Sequence, residues 1–210
     1  RHYSGEDVVR SLHQGFLWES YPYVRHDAGE RADLNSFVIG LQNHDTVGNH
    51  PQGLRIHNIA GANFQMAAAA IALMHPSIPM IFMGEEFATD KPFLFFADFA
   101  DDWVRKGVVE GRAAQFPELA DLIGTSPLSP AAMRKSCIGP VAKGNPEMLN
   151  WYRSLIQLRK RFVATGLLGQ ANLIVTGNVD RGYFQLEYQN DVEHLKIEVA
   201  LTSPDVSFEP

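Results

Sequence analysis

Two short apolar runs with a helix-length segment between them constrain this chain more than any other feature. Phe37 to Leu41 (FVIGL) and Ile78 to Met83 (IPMIFM) are nearly all apolar and too short for independent helices. Such runs suit parallel strands covered on both faces. Between them, Asn58 to His75 is rich in alanine and closes at Pro76, the pattern of one helix with a proline stop. Strand, helix and strand at this spacing predict a βαβ unit and an α/β fold. Each run ends in polar residues, Gln42-Asn43-His44-Asp45 after the first and Gly84-Glu85-Glu86 after the second. The carboxyl ends of parallel strands are where α/β folds place their sites.

Upstream, Ser4 to Asp7 reads as a helix N-terminus, followed at helical spacing by Val8, Val9, Leu12 and Phe16. Trp18 to Asn35 has no sustained period and reads as a long loop. Downstream, helical signals are weak around Asp102 to Arg112, and Gly124 to Pro146 is rich in Pro, Ser and Gly. Asn145 then caps a helix with Pro146 at its first position, and Met148, Trp151, Tyr152, Leu155 and Ile156 share one face. From Ala171 the period becomes two, with Phe184, Leu186 and Tyr188, then Leu195, Ile197, Val199 and Leu201, alternating with polar residues. Antiparallel strands are expected there. The composition shift at Gly166 to Gln170 divides the chain into 1–168, carrying the α/β part, and a β module at 169–210.

With 45% hydrophobic residues among 210, the chain can bury a sizeable core. Eighteen Lys and Arg stand against 24 Asp and Glu, and no basic run could neutralise a phosphate backbone, which argues against a nucleic-acid partner. The single cysteine, Cys137, excludes an internal disulfide and reads as a buried, inert thiol in a reducing, cytoplasmic compartment. The longest apolar run, Met66 to Met74, falls short of the roughly 20 residues a membrane span needs, so no membrane is expected.

Neighbouring parallel strands lie about 4.8 Å apart, so the polar groups after the two runs can share one pocket. Carboxylates gathered there suit glycoside hydrolysis, in which one acid protonates the leaving oxygen and another attacks or stabilises an oxocarbenium-like centre. The plainer alternative is that Asp45 caps a turn into Val47-Gly48 and His44 is a satisfied core residue.

FVIGLQNHDTVGN, Phe37 to Asn49, resembles the strand-seven motif of glycoside hydrolase family 13, the α-amylase family: an apolar strand followed by Asn-His-Asp. SIPMIFMGEE, Ser77 to Glu86, is similar to the strand-eight pattern of that family, with Pro79, Gly84 and Glu86 in place, Ser77 for the usual Gly and Phe82 for the usual Tyr. PFLFFADF, Pro92 to Phe99, with Gln42 before the motif and Val-Gly-Asn after Thr46, narrows the resemblance to the maltooligosyltrehalose trehalohydrolases within it. WYRSLIQLRKR, Trp151 to Arg161, resembles the helix leading to the C-terminal β domain of these enzymes.

The resemblance implies the C-terminal portion of a (β/α)8 TIM barrel, strands seven and eight with their helices, followed by part of an antiparallel β domain. It implies cleavage of the α-1,4 bond next to the terminal trehalose of maltooligosyltrehalose, with no metal or organic cofactor. Asp45 matches the transition-state-stabilising carboxylate and His44 a sugar-binding histidine; Asn43, Gln42 and Glu86 are further substrate-binding candidates. No segment before Phe37 matches the strands that carry the family's nucleophile and acid/base. The expected partner is therefore the missing N-terminal part of the barrel, and the chain alone is expected to be inactive.

Thr46 and His50 stand where trehalohydrolases usually have Gln and Arg, which leaves open another α-glucan hydrolase or a branching-type transglycosidase. His50 and His57 with His44 and Asp45 match no compact metal spacing. A non-catalytic α-glucan-binding module, using aromatics such as Trp103 and Trp18, is a further alternative, although large aromatics in so apolar a chain are expected in the core.

Overall fold

The computed structural model describes residues 5–15, 33–115, 125–178 and 182–201. By contact the chain divides into two compact units, one of residues 1–41, 63–80 and 151–210, the other of residues 42–62 and 81–150.

In the first unit, β1 (Val38–Gly40) and β2 (Ile78–Met80) pair in parallel, Val38 opposite Ile78. The expected βαβ order is present, but the helical segment between them is not one helix. Gly61 adopts φ +93°, a left-handed conformation open to glycine, and closes a short helix over Ile56–Ala60 by donating to the His57 carbonyl. A new helix, α4 (Ala62–Met74), then follows, with Ala68 to Met74 buried.

The carbonyls that end this second helix are claimed by side chains far along the chain. Arg159 donates to Leu73 O at 2.9 Å and to Ser77 O at 2.9 Å, and Tyr188 Oη donates to Met74 O at 2.6 Å. A buried helix end needs such partners, because its last carbonyls have none within the helix. Burial pushes the Tyr188 phenol above its ordinary value, and the nearby Arg159 charge opposes that.

The antiparallel sheet is as expected: Leu173–Asn178, Tyr183–Gln189 and His194–Ala200, in sequence order. Phe184, Leu186 and Tyr188 are buried while their neighbours along the strand are half-exposed. Helix α1 (Gly5–Gln14) lies against its first strand, where Gly177 leaves room for Val9. Through Tyr188 and Met74 this sheet shares a unit with the helix after Gly61, so the contact division crosses a cut at Gly166 to Gln170.

β1 and β2 are less covered than expected. Val38 is 62% exposed and Ile78 54%, because each strand has a single sheet neighbour among the described residues.

The second unit is built mostly from helices and extended chain. Its helices are α2 (His44–Gly48), α3, the Ile56–Ala60 helix already given, α5 (Asp102–Gln115) and α6 (Pro130–Ser136). α5 is a full 14 residues where the sequence signal was weak. α6 lies inside the Pro/Ser/Gly-rich stretch; Ser129 caps it, accepting from Ala131 N, and Pro130 opens it. Pro92 to Phe99 is extended without strand pairing, tied by Phe93 N to Gly53 O and Leu94 N to Ser136 Oγ at 2.9 Å each.

The long helix Pro146–Ala164 starts as the sequence predicts, Asn145 Oδ1 accepting from Glu147 N and Met148 N. Two expectations are corrected. Cys137 is exposed, not buried: it follows the last turn of α6, and among the described residues its thiol meets only Met133 O, a weak hydrogen bond. Trp103 is 78% exposed rather than core, standing in the first turn of α5. Ser4, Phe16 and Trp18 lie outside the described residues. Among the described residues no helix is long and apolar enough to cross a membrane.

Candidate functional site

The polar residues that follow β1 belong to the second unit, and they divide into an exposed pair and a buried set. Asn43 caps α2. Its Oδ1 accepts from Thr46 N at 2.7 Å, and Thr46 Oγ1 accepts from Asn43 N at 3.0 Å, a reciprocal capping box. This seats His44 and Asp45 in the first turn with both side chains in solvent, 74% and 72% exposed, and His44 Nε2 3.3 Å from Asp45 Oδ1. The plainer alternative is thereby corrected: Asn43 is the cap, so Asp45 is free of that duty, and His44 is not a core residue.

Gln42, one residue earlier, is buried, and both ends of its amide are engaged. Nε2 donates to Glu85 Oε2 at 3.0 Å, and Oε1 accepts from Ile56 N at 2.8 Å. Glu85 is 2% exposed. Beside it lies Arg55, 0% exposed, whose Nη1 donates to Met83 O at 2.8 Å and whose Nε donates to Lys91 O at 2.7 Å. The guanidinium sits 5.4 Å from the centre of the Phe82 ring. Burial lowers the basicity of Arg55, and the charges of Glu85 and Glu86 work against that.

Glu86 is half-buried, and its Oε2 is enclosed with no hydrogen-bond partner among the described residues. The structure therefore brings Gln42, Glu85 and Arg55 together and His44 with Asp45. No hydrogen bond or ion pair joins Glu86 to Asp45. The sequence named Glu85 only as a neighbour and missed Arg55 altogether, since an arginine between Leu54 and Ile56 reads as a solvated loop cation.

The departures from the family pattern have local explanations. Thr46 serves the capping box. His50 Nδ1 accepts from Gln52 N at 3.2 Å and Leu54 N at 3.3 Å, and burial lowers its pKa, so a neutral ring holds the loop. Phe82 packs edge-on to Phe93, ring centres 5.1 Å apart. Gly84, at φ +81°, cannot take a side chain because a Cβ would lie 2.6 Å from Thr89 Cγ2. Among the described residues no three His, Cys, Asp or Glu side chains are grouped to hold a metal.

Arg112 of α5 secures the far end of α2, donating to Gly48 O and Asn49 Oδ1 at 3.0 Å each, while its guanidinium lies 4.8 Å from the centre of the Phe95 ring. Phe95, Phe96, Phe99 and Trp103 are exposed along the same stretch of chain.

No family model matches the chain. It is 35% identical over 161 residues to the malto-oligosyltrehalose trehalohydrolase of Saccharolobus solfataricus, a match covering 74% of this chain. It is 32% identical over 168 residues, again 74% of the chain, to the enzyme of that name from Deinococcus radiodurans. In each case it spans 28% of the relative's length. Among solved structures, a putative alpha amylase from Salmonella typhimurium superposes with a TM-score of 0.77 at 28% identity, over 98% of this chain and 37% of the other.

Proposed function

Since the chain belongs to glycoside hydrolase family 13, the α-amylase family, we propose that β1 and β2 are strands seven and eight of a (β/α)8 barrel whose other strands lie outside this sequence. Residues 1–168 would then belong to the barrel and 169–210 to a C-terminal β domain. The complete protein hydrolyses the α-1,4 bond next to the terminal trehalose of maltooligosyltrehalose in the cytoplasm. The observation that carries this reading is the exposed His44–Asp45 pair, seated by a capping box after the carboxyl end of β1.

Asp45 binds sugar hydroxyls and stabilises the charge that develops at the anomeric centre; His44 hydrogen-bonds the sugar in the cleavage subsite. Glu86, half-buried and close to the Arg55 charge, is the further substrate-binding candidate, with its Oε2 enclosed by protein. Gln42 and Asn43, whose side chains are engaged internally, serve the site by holding the backbone that carries Asp45. The nucleophile and the acid/base come from the rest of the barrel, so the 210-residue chain alone is inactive. Trehalose release is the test: the longer protein should produce it from maltooligosyltrehalose and the isolated chain should not. Maltose from plain maltooligosaccharides, with no trehalose, would assign another α-glucan hydrolase.

A second reading rests on the exposed Trp103 and its phenylalanine neighbours. It makes the chain an α-glucan-binding module and predicts saturable binding of maltooligosaccharides to the isolated chain without turnover.

A further inference from the structure

We propose that Arg55, Glu85 and Gln42 form a buried positioning network that sets the height and direction of Asp45 at the substrate, an inference that rests on the catalytic reading of Asp45. The segment from Gln42 to Ile56 carries Asp45, and both its ends are fastened to the segment from Met83 to Lys91. At one end Gln42 holds Glu85. At the other, Arg55 holds the carbonyls of Met83 and Lys91, while Ile56 N returns to Gln42 Oε1. The two fastenings share one charge system, since the Arg55 guanidinium acts on both Glu85 and Glu86.

Asp45 needs such support because its carboxylate is 72% exposed and, among the described residues, is met only by His44. Its position is inherited from its backbone, through the capping box at Asn43, Arg112 on Gly48 O and the two fastened ends. A planar guanidinium can hold two carbonyls at fixed angles; an ammonium or a methionine of similar length cannot. Arg55 is fully buried, so it acts through Asp45 and not on the sugar.

The test compares Arg55→Lys, the double variant Arg55→Met/Glu85→Leu and Asp45→Asn in the longer protein, reading kcat and KM for maltooligosyltrehalose. The double variant removes both buried charges together, so it retains a folded state where Arg55→Met alone risks losing it. The expected result is kcat lowered by about 10²-fold in the double variant and about 10-fold in Arg55→Lys, with KM changed by less than about threefold. Wild-type kcat in the folded double variant overturns the network.

A second measurement stands apart from hydrolysis: amide exchange in the 210-residue chain. In the double variant, exchange at Ile56 and Thr46 should quicken by at least about tenfold while Leu186 is unchanged. Unchanged exchange at Ile56 and Thr46 overturns the proposal even if the longer protein is active. If wild type and Asp45→Asn are equally inert, the catalytic reading has failed, and the exchange result alone decides whether the network positions this segment.

Discussion

The two compact units bury different kinds of side chain. The first is held mainly by an apolar interior: Leu73, Met74, Tyr152, Leu155, Leu186 and Tyr188 are all buried there, with Gln65, His75 and Ser77 as its enclosed polar groups. The second buries few large apolar groups, Val47, Phe87 and Met148 among them, and encloses Gln42, Arg55, Glu85, Thr89 and Ser136 instead. Apolar burial is non-directional and tolerates repacking, whereas a buried charge set fixes angles and fails when one member is lost. The unit that carries His44 and Asp45 is the one built by direction, which is what a site requiring fixed geometry asks of its scaffold.

The largest effect that tests this contrast is expected from Arg55→Met. Leaving Glu85 buried without its cation should cost about 3–5 kcal/mol, read by denaturant unfolding, and adding Glu85→Leu should recover most of it. A loss below about 1 kcal/mol would show that the second unit does not depend on its charges. In the first unit, Leu186→Ala should cost about 2–5 kcal/mol through the cavity left in the sheet's buried face. It should leave the amide exchange of Thr46 unchanged.

Asn43→Ala comes next. Losing the cap should cost about 1 kcal/mol and loosen the first turn of α2, so that in the longer protein activity falls more than stability does.

The smallest effect sharpens the contrast through pH. His75 lies buried in the first unit against Leu12 O, and its pKa is lowered chiefly by burial, with the Arg159 charge adding to this and the Leu12 carbonyl opposing it. The unfolded chain then binds the proton more readily, so stability is complete above the ordinary histidine pKa of about 6.5 and falls as pH drops below it. Melting temperature should decline from pH 7.5 to pH 5.5, and less so in His75→Gln. Equal declines in both proteins would remove His75 as the cause.

Much of this was legible in the sequence where a period or a cap wrote it locally. The alternation through Phe184, Leu186 and Tyr188 gave away the antiparallel sheet, and Asn145-Pro146 marked the start of the long helix. The two apolar runs foretold the parallel pair, although not that Val38 and Ile78 would stand exposed, because coverage depends on chain that these runs do not contain. Gly61 reads as a tolerated residue within an alanine-rich helix, and only its left-handed backbone shows that the helix ends there. α6 was hidden because Ser129 and Pro130 serve equally in turns.

The site itself was half legible. Asn-His-Asp after an apolar strand pointed to Asp45 and His44, but Arg55 has no local signal, since its role lies in carbonyls 28 and 36 residues away. Trp103 misled in the opposite direction: composition assigned it to the core, and its place at the exposed start of α5 was not written in its neighbours.

On the proposed function, Asp45 stabilises the transition state of an α-glucan hydrolysis completed by the rest of the barrel. The most direct test is trehalose release from maltooligosyltrehalose by the longer protein with Asp45 and with Asp45→Asn. Because the side chain is exposed and is met only by His44 among the described residues, the substitution should leave the melting temperature unchanged while kcat falls by about 10³-fold or more. Undiminished kcat in Asp45→Asn would show that Asp45 has no part in stabilising the transition state.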